Sequence, residues 1–218
     1  MYKLCPSNKA ILTHYPPSHG QYDKILENKV TPTYTCNAHF ENNFHIISEA
    51  IHIKQNKDSS KPFRTPYASA GLLFGHSDFL NEAPFDPYLP YLFQGEEILL
   101  SARLWTNGWD LFNLNDSVIT HYYNREKDNQ PHFWDDHGHK SWHKVQKQSN
   151  NRYYYILEQL GESDVDPLFL THVSDYGIGN QRTLKSWFDF TGIDIKNKKV
   201  ESRCSQTYNE TTQKWEDN

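Results

Sequence analysis

The stretch LFQGEEILLSARLWTNGWDLF, residues 92–112, decides how the chain is read. Ile98, Leu99, Ala102 and Trp105 recur at helical spacing behind Glu96 and Glu97, and Gly108 supplies a stop, so the spacing predicts a helix from Glu96 to about Asn107. Carboxylates in a first helical turn suit the macrodipole, by roughly 0.3–1 kcal/mol each, and the pair needs no further role on that account. An acid and base pair for glycoside hydrolysis is a poor fit. Neighbouring helical residues point about 100° apart, whereas hydrolase carboxylates face one another across a sugar.

Outward from this helix, Ala10 to Tyr15 reads as a strand that Pro16 and Pro17 end, because proline cannot continue a sheet ladder. A polar loop follows. Phe44 to Ile53 reads as one or two strands, residues 56–62 as a loop, and YASAGLLFG, residues 67–75, as a buried strand ending at Gly75. Three prolines exclude a helix from EAPFDPYLPYLF. Beyond the central helix, SVITHYYN, residues 117–124, is a strand candidate, Ser141 to Leu160 a second helix and Thr183 to Phe190 a third. Irregular alternation of this kind predicts an α/β layered domain. One domain over residues 1–200, followed by a polar, frayed tail over 201–218, accounts for the 218 residues.

Aromatic residues make up 15% of the chain and supply much of its large apolar surface, a globular signature. A formal charge of −5 with scattered lysines and arginines argues against nucleic-acid binding. Cys5, Cys36 and Cys204 are widely spaced and read as reduced thiols. No run of about 18 apolar residues offers a membrane segment, so the expectation is a cytoplasmic chain.

AILTHYPP, SAGLLFG, PFDPYLPYLFQGEEILLSARLWTNGWDLF, VITHYYNR, PHFW and YGIGNQRTLKSWFDFTGID follow one another in an order that resembles a glycosyltransferase (GlcNAc) family, the N-acetylglucosaminyltransferases of the Skp1 protein-hydroxyproline type. More distantly the order is similar to that of the polypeptide N-acetylgalactosaminyltransferases. The resemblance implies a GT-A-like, Rossmann-like domain and a retaining transfer of N-acetylglucosamine. The donor would be a UDP-sugar, the acceptor a hydroxyproline-like hydroxyl on a protein or peptide, and the cofactor a divalent metal, Mn or Mg. By position, Glu96 would contact donor-sugar hydroxyls with Glu97 beside it, following Gly95. Asp86 would shape the turn under the sugar, Gly71 would let the backbone pass close to the donor, and His121 would be a metal ligand. Arg125, four residues beyond His121, is placed to face phosphate, with a surface ion pair as an equal reading; Trp105, Trp109, Trp134 and Trp187 could stack on sugar or peptide, core packing being the ordinary job for most of them.

Charge that grows on a departing diphosphate calls for a metal ion and positive side chains, and a neutral imidazole suits a Mn-like ion. For His121 the plain alternative is a half-buried strand histidine bonded to backbone. His132, His137, His139 and His143 crowd PHFWDDHGHKSWH, where a zinc site and a variable loop are the two readings. The family carries an Asp-x-Asp or Asp-Ser-His motif ahead of the strand matched by AILTHYPP, yet residues 1–9 hold no acidic residue. The only Asp-x-Asp, Asp164 and Asp166, reads as a turn before Pro167. The expectation is therefore a partial domain missing its first nucleotide-binding strands, slow or inactive alone, with a missing N-terminal half as partner. A non-catalytic remnant or sugar-binding module of the same fold is the alternative.

Overall fold

The computed structural model describes residues 2–27, 32–42, 44–52, 61–123, 133 and 142–218. Its strands are β1 (Ala10–Thr13), β2 (Thr33–Glu41), β3 (His45–His52), β4 (Phe63–Arg64), β5 (Leu73–Gly75), β6 (Asp110–Asn113), β7 (Ile193–Asp194), β8 (Lys199–Val200), β9 (Gln206–Asn209) and β10 (Lys214–Asp217). The longer helices are α1 (Glu96–Thr106), α2 (His143–Ile156) and α3 (Leu184–Thr191). A four-stranded sheet runs β4-β6-β1-β5, with β1 and β6 parallel and both edge strands antiparallel. The chain is thus a mixed α/β structure built on a mixed sheet.

Every residue of β1 and β6 is buried, the mark of strands covered on both faces. Ile11 and Leu111 pack with Leu100, Leu104 and Trp109 on one side. Ala10, Leu12 and Phe112 form a small cluster with Leu114 on the other. Helix α1 is buried nearly all round, because its opposite side, Ile98, Leu99 and Ala102, packs against Tyr153 and Ile156 of α2 and Leu184 and Trp187 of α3. The stretch that decides the sequence reading is therefore the central pillar of the structure. Thr183 caps α3, its side chain accepting from the Ser186 amide, and Gly192 closes it at φ 77°.

Several expectations need correction. Among the described residues of SVITHYYN, 117–123, there is no strand: His121 makes a single bridge to Ser18, and Val118 and Ile119 face solvent. The strand after α1 is instead Asp110–Asn113, which lacks alternation because both its faces are covered. Strand β2, nine residues long, falls inside the predicted polar loop. It pairs with β3 across a bulge between Thr35 and Asn37, and its first four residues are all buried. The strand in YASAGLLFG is confined to Leu73–Gly75.

The end of the chain is not frayed either. Residues 206–217 pair as the hairpin β9–β10, and the Trp215 indole N–H donates to the Phe190 carbonyl at 2.7 Å. Cys36 and Cys204 are joined in a disulfide across 168 residues, so two of the three expected thiols are oxidised. Among the described residues no helix is long and apolar enough to cross a membrane.

Candidate active site at the carboxyl end of the sheet

Strand β1 ends at Thr13 and the chain continues through His14 and Tyr15 to Pro16 and Pro17. The turn leading into β5 lies beside this exit. The Ser69 amide donates to Thr13 Oγ1 at 2.7 Å, and the next amide, of Ala70, donates to Glu97 Oε1 at 2.7 Å. Ser48 on β3 donates to Glu97 Oε2 at 2.8 Å. Glu97 is half-buried, and both its oxygens are held by donors from two different elements. A side chain at Gly71 would meet Pro16 Cδ at 2.2 Å, so glycine is required by the proline ring, on this geometry, before any ligand is considered.

Helix α1 begins at Gly95, whose φ of 79° only glycine adopts cheaply. Gly95 is buried, and a Cβ there would stand 2.9 Å from His45 Nε2, so its role is to turn the chain. The His45 ring bonds the backbone of Gln94 and the Tyr154 hydroxyl, and burial lowers its pKa. Glu96 follows at the surface. The protein atoms around it raise its carboxyl pKa, Glu97 adds to that, and backbone amides of Glu96 and Gln94 oppose it.

Asp86 lies deeper. Its side chain is 1% exposed and that of its partner Arg152 is 0%, with Nε to Oδ2 at 2.8 Å. The Tyr88 amide donates to Oδ1 at 2.9 Å, and Arg152 Nη1 donates to the carbonyls of Phe169 and Thr171. This ion pair ties the proline-rich loop to α2. Arg103, 3% exposed, donates through Nε to the Gly177 carbonyl, and burial lowers its pKa to about 10 against the pull of Asp86. Asp86, Glu96, Glu97 and Arg103 share one cavity of about 250 Å³ with Ala70 and several leucines. The structure thus brings three of the predicted acidic residues together.

His121 belongs to the same corner. Its amide donates to the Pro17 carbonyl at 3.0 Å, and Pro16 packs on Gly71. Its ring is exposed and lies 4.5 Å from that of Tyr123, whose hydroxyl donates to the Pro16 carbonyl at 2.7 Å. Burial raises the Tyr123 pKa, with Tyr15 and Glu97 contributing. Among the described residues no three His, Cys, Asp or Glu side chains gather to hold an ion, so His121 offers one imidazole and the described residues do not by themselves fit a metal centre.

Trp109 is corrected to a core residue. It is 2% exposed, its indole N–H bonds Glu82 Oε2 at 2.8 Å, and no face is open to a sugar. Trp187, 1% exposed, is likewise core. Arg125 and Trp134 lie outside the described residues, as do His132, His137 and His139; the His143 ring lies tilted against that of Trp142 with centroids 3.9 Å apart. Sequence reasoning missed Ser48, Arg103 and Arg152. An arginine inside the apolar run ILLSARLW was the available signal for Arg103, since a buried arginine needs a partner.

An acid-lined cavity at the carboxyl end of parallel strands, fed by turns from several elements, is where α/β proteins bind and process ligands. The chain belongs to the glycosyltransferase (GlcNAc) family, whose model matches residues 1–197. Among curated proteins none matches the chain.

Proposed function

We propose that this chain is a retaining glycosyltransferase domain of GT-A type that moves N-acetylglucosamine from a UDP-sugar to a hydroxyproline-like hydroxyl on a protein or peptide. The observation that carries the reading is the meeting of Asp86, Glu96 and Glu97 in one cavity beside the exit of β1, in a member of a GlcNAc transferase family. In such a transfer the bond from the anomeric carbon to the diphosphate breaks as a bond to the acceptor oxygen forms on the same face. The acceptor proton passes to the departing phosphate. No protein nucleophile is required, and positioning carries the rate.

Glu97 already accepts from Ser48 and Ala70, which suits a positioning residue that holds the turn at Gly71 against the sugar. Glu96, exposed at the rim of the same cavity, suits hydrogen bonding to donor-sugar hydroxyls. Asp86 keeps the loop under the sugar through Arg152. A divalent ion would supply charge for the leaving diphosphate. His121 would be one of its ligands, and further ligands would have to come from outside the described residues. The Cys36–Cys204 bridge supports an oxidising compartment in place of the cytoplasmic expectation.

Calorimetry with UDP-N-acetylglucosamine plus manganese, paired with a radiolabelled transfer assay on a hydroxyproline peptide, tests the reading. Donor binding that Glu96→Ala abolishes is expected. Absence of donor binding would overturn it, and binding without transfer would make the chain a sugar-binding module of the same fold.

A further inference from the structure

The acidic cavity has a cationic floor. Arg103 lies seven residues beyond Glu96 on α1, about 10 Å along the helix at a rise of about 1.5 Å per residue. Both line the cavity, the exposed Glu96 at its mouth and the buried Arg103 at its inner end. Leu99 and Leu100 stand between them on the helix, and Phe85 and Leu89 of the proline-rich loop add further apolar wall.

No group of the described chain neutralises that floor. Arg103, 3% exposed, donates through Nε to the Gly177 carbonyl at 3.2 Å, and among the described residues neither Nη1 nor Nη2 makes a hydrogen bond or an ion pair. Arg152 Nη2 is sealed away without a partner, whereas the Arg103 nitrogens are not sealed and border the cavity. Asp86 is already used twice, Oδ2 by Arg152 at 2.8 Å and Oδ1 by the Tyr88 amide at 2.9 Å. Both oxygens of Glu97 are taken by Ser48 and the Ala70 amide. Burial lowers the Arg103 pKa, and Arg152 adds to that against the pull of Asp86. A buried cation is costly unless paired and hydrogen-bonded, so its counter-charge is to be sought outside the protein.

The free pair Nη1 and Nη2 is an end-on fork for two oxygens, which is the geometry of a carboxylate. The walls are hydrocarbon and the volume is about 250 Å³, below the roughly 300–1,000 Å³ of pockets for drug-sized ligands. A short aliphatic stem fits such a space and a nucleotide does not. Glu96 and Glu97 oppose an anion, but from the mouth, where water and salt weaken them, whereas Arg103 meets it in contact. We propose that Arg103 anchors a monocarboxylate carried on a short aliphatic stem, supplied by a free acid or by an acidic side chain of a peptide. Binding of that carboxylate stands whether or not the chain transfers sugar; only its use to position a peptide acceptor rests on the transferase reading.

Calorimetry with hexanoate, with hexylamine and butyl phosphate as controls, is paired with the methyl NMR signals of Leu99 and Leu100. Hexanoate is expected to bind, to shift those methyls and to outbind both controls. Arg103→Met should weaken it about tenfold or more, and Arg103→Lys, which keeps the charge without the fork, severalfold. Because Arg103→Met also loses the Gly177 bond, Ala70→Phe supplies a second arm: Ala70 is exposed at the cavity wall, and a ring there should block hexanoate in a chain whose circular dichroism is unchanged. Glu96→Gln removes a like charge and should tighten hexanoate about twofold or more, the opposite of what loss of Glu96 does to donor binding. Acetylated pentapeptides with a central glutamate or glutamine separate the sources. Displacement of hexanoate by the glutamate peptide alone assigns the carboxylate to a peptide, and displacement by neither assigns it to a free acid. The proposal is overturned if hexanoate does not bind, if either control binds as tightly, if Arg103→Met or Ala70→Phe binds hexanoate as well as wild type, or if the glutamine peptide displaces it. Hexanoate binding in a chain that ignores UDP-N-acetylglucosamine would sink the transferase reading and leave this one standing, and donor binding without hexanoate binding would do the reverse.

Discussion

Removing the Cys36–Cys204 bridge should lower stability more than any other change of two atoms in this protein. The bond closes a loop of 168 residues and ties the buried half of β2 to the wall of the C-terminal hairpin. In the chain-entropy description, a loop of that length costs the bridged unfolded ensemble about 5 kcal/mol of freedom at 25 °C. With unfolding entropies near 2.1 cal/mol/K per residue, that loss over a chain of this size corresponds to a fall in Tm of about 10 °C. Local order should suffer as well. Arg203, which donates from its backbone to the Cys36 carbonyl at 3.0 Å, and Trp215 both lean on the anchored wall. The assay is thermal unfolding by circular dichroism of the wild-type chain with and without reductant, beside Cys36→Ala/Cys204→Ala. Amide exchange over residues 203–217 reports the local effect. A Tm that moves by less than about 2 °C, with unchanged exchange in the hairpin, would refute the argument. It would mean that noncovalent contacts alone hold the hairpin, or that the unfolded chain keeps these segments together.

Other expectations follow from single contacts. Asp86→Asn leaves the 0%-exposed Arg152 without its counter-charge and should cost about 3–5 kcal/mol in urea unfolding, while Asp86→Leu/Arg152→Met should recover much of it. Glu97→Ala strips the acceptors from the Ala70 amide and Ser48 hydroxyl, and on the proposed function should cut transfer about a hundredfold; equal rates for mutant and wild type would remove Glu97 from the site. Gly71→Ala drives a methyl into the Pro16 ring and should destabilise the domain by about 1–3 kcal/mol, read from the same urea curves. His14 is fully buried, neither ring nitrogen has a hydrogen-bond partner, and burial lowers its pKa to about 4. Because the unfolded histidine takes up a proton near its ordinary pKa and the folded one resists until about 4, its contribution is complete above about pH 6.5 and is lost as pH falls through that window, by up to about 1.4 kcal/mol per unit. Stability of His14→Asn plotted against pH should lack that slope.

What the sequence made legible, and what it hid, divides along the range of the interactions involved. Helix α1 was readable because its signals are local: apolar spacing, two acidic residues at the start and Gly108 past its end. Helices α2 and α3 were readable for similar reasons, each to within a few residues. Strand β6 escaped because alternation is the sign of a half-exposed strand, and DLFN is covered on both faces. Strand β2 escaped because its threonines, Asn37 and His39 read as loop chemistry, although Thr33 and Thr35 are buried against elements distant in the chain. The disulfide and the hairpin beyond it had no local sign at all. A cysteine at 36 carries no mark of a partner at 204, and a polar segment such as QTYNETTQKWED becomes ordered only once Phe190 offers a surface for Tyr208 and Trp215.

The same division applies to the candidate site. Asp86, Glu96 and Glu97 were named from one continuous block of sequence, and the fold gathers them in one cavity. The groups that give those carboxylates their properties come from far away: Ser48 from β3, Ala70 from the turn before β5, and Arg152 from α2. Chemistry-bearing residues can be read from a short block when one helix start presents them. Their orientation depends on neighbours that only the tertiary fold supplies, and for that reason Glu96 and Glu97, adjacent in sequence, meet different partners. Glu97 has both oxygens occupied by the protein, which leaves it to hold backbone in place, whereas Glu96 reaches the surface with its carboxyl pKa raised and is the one of the two free to meet a ligand.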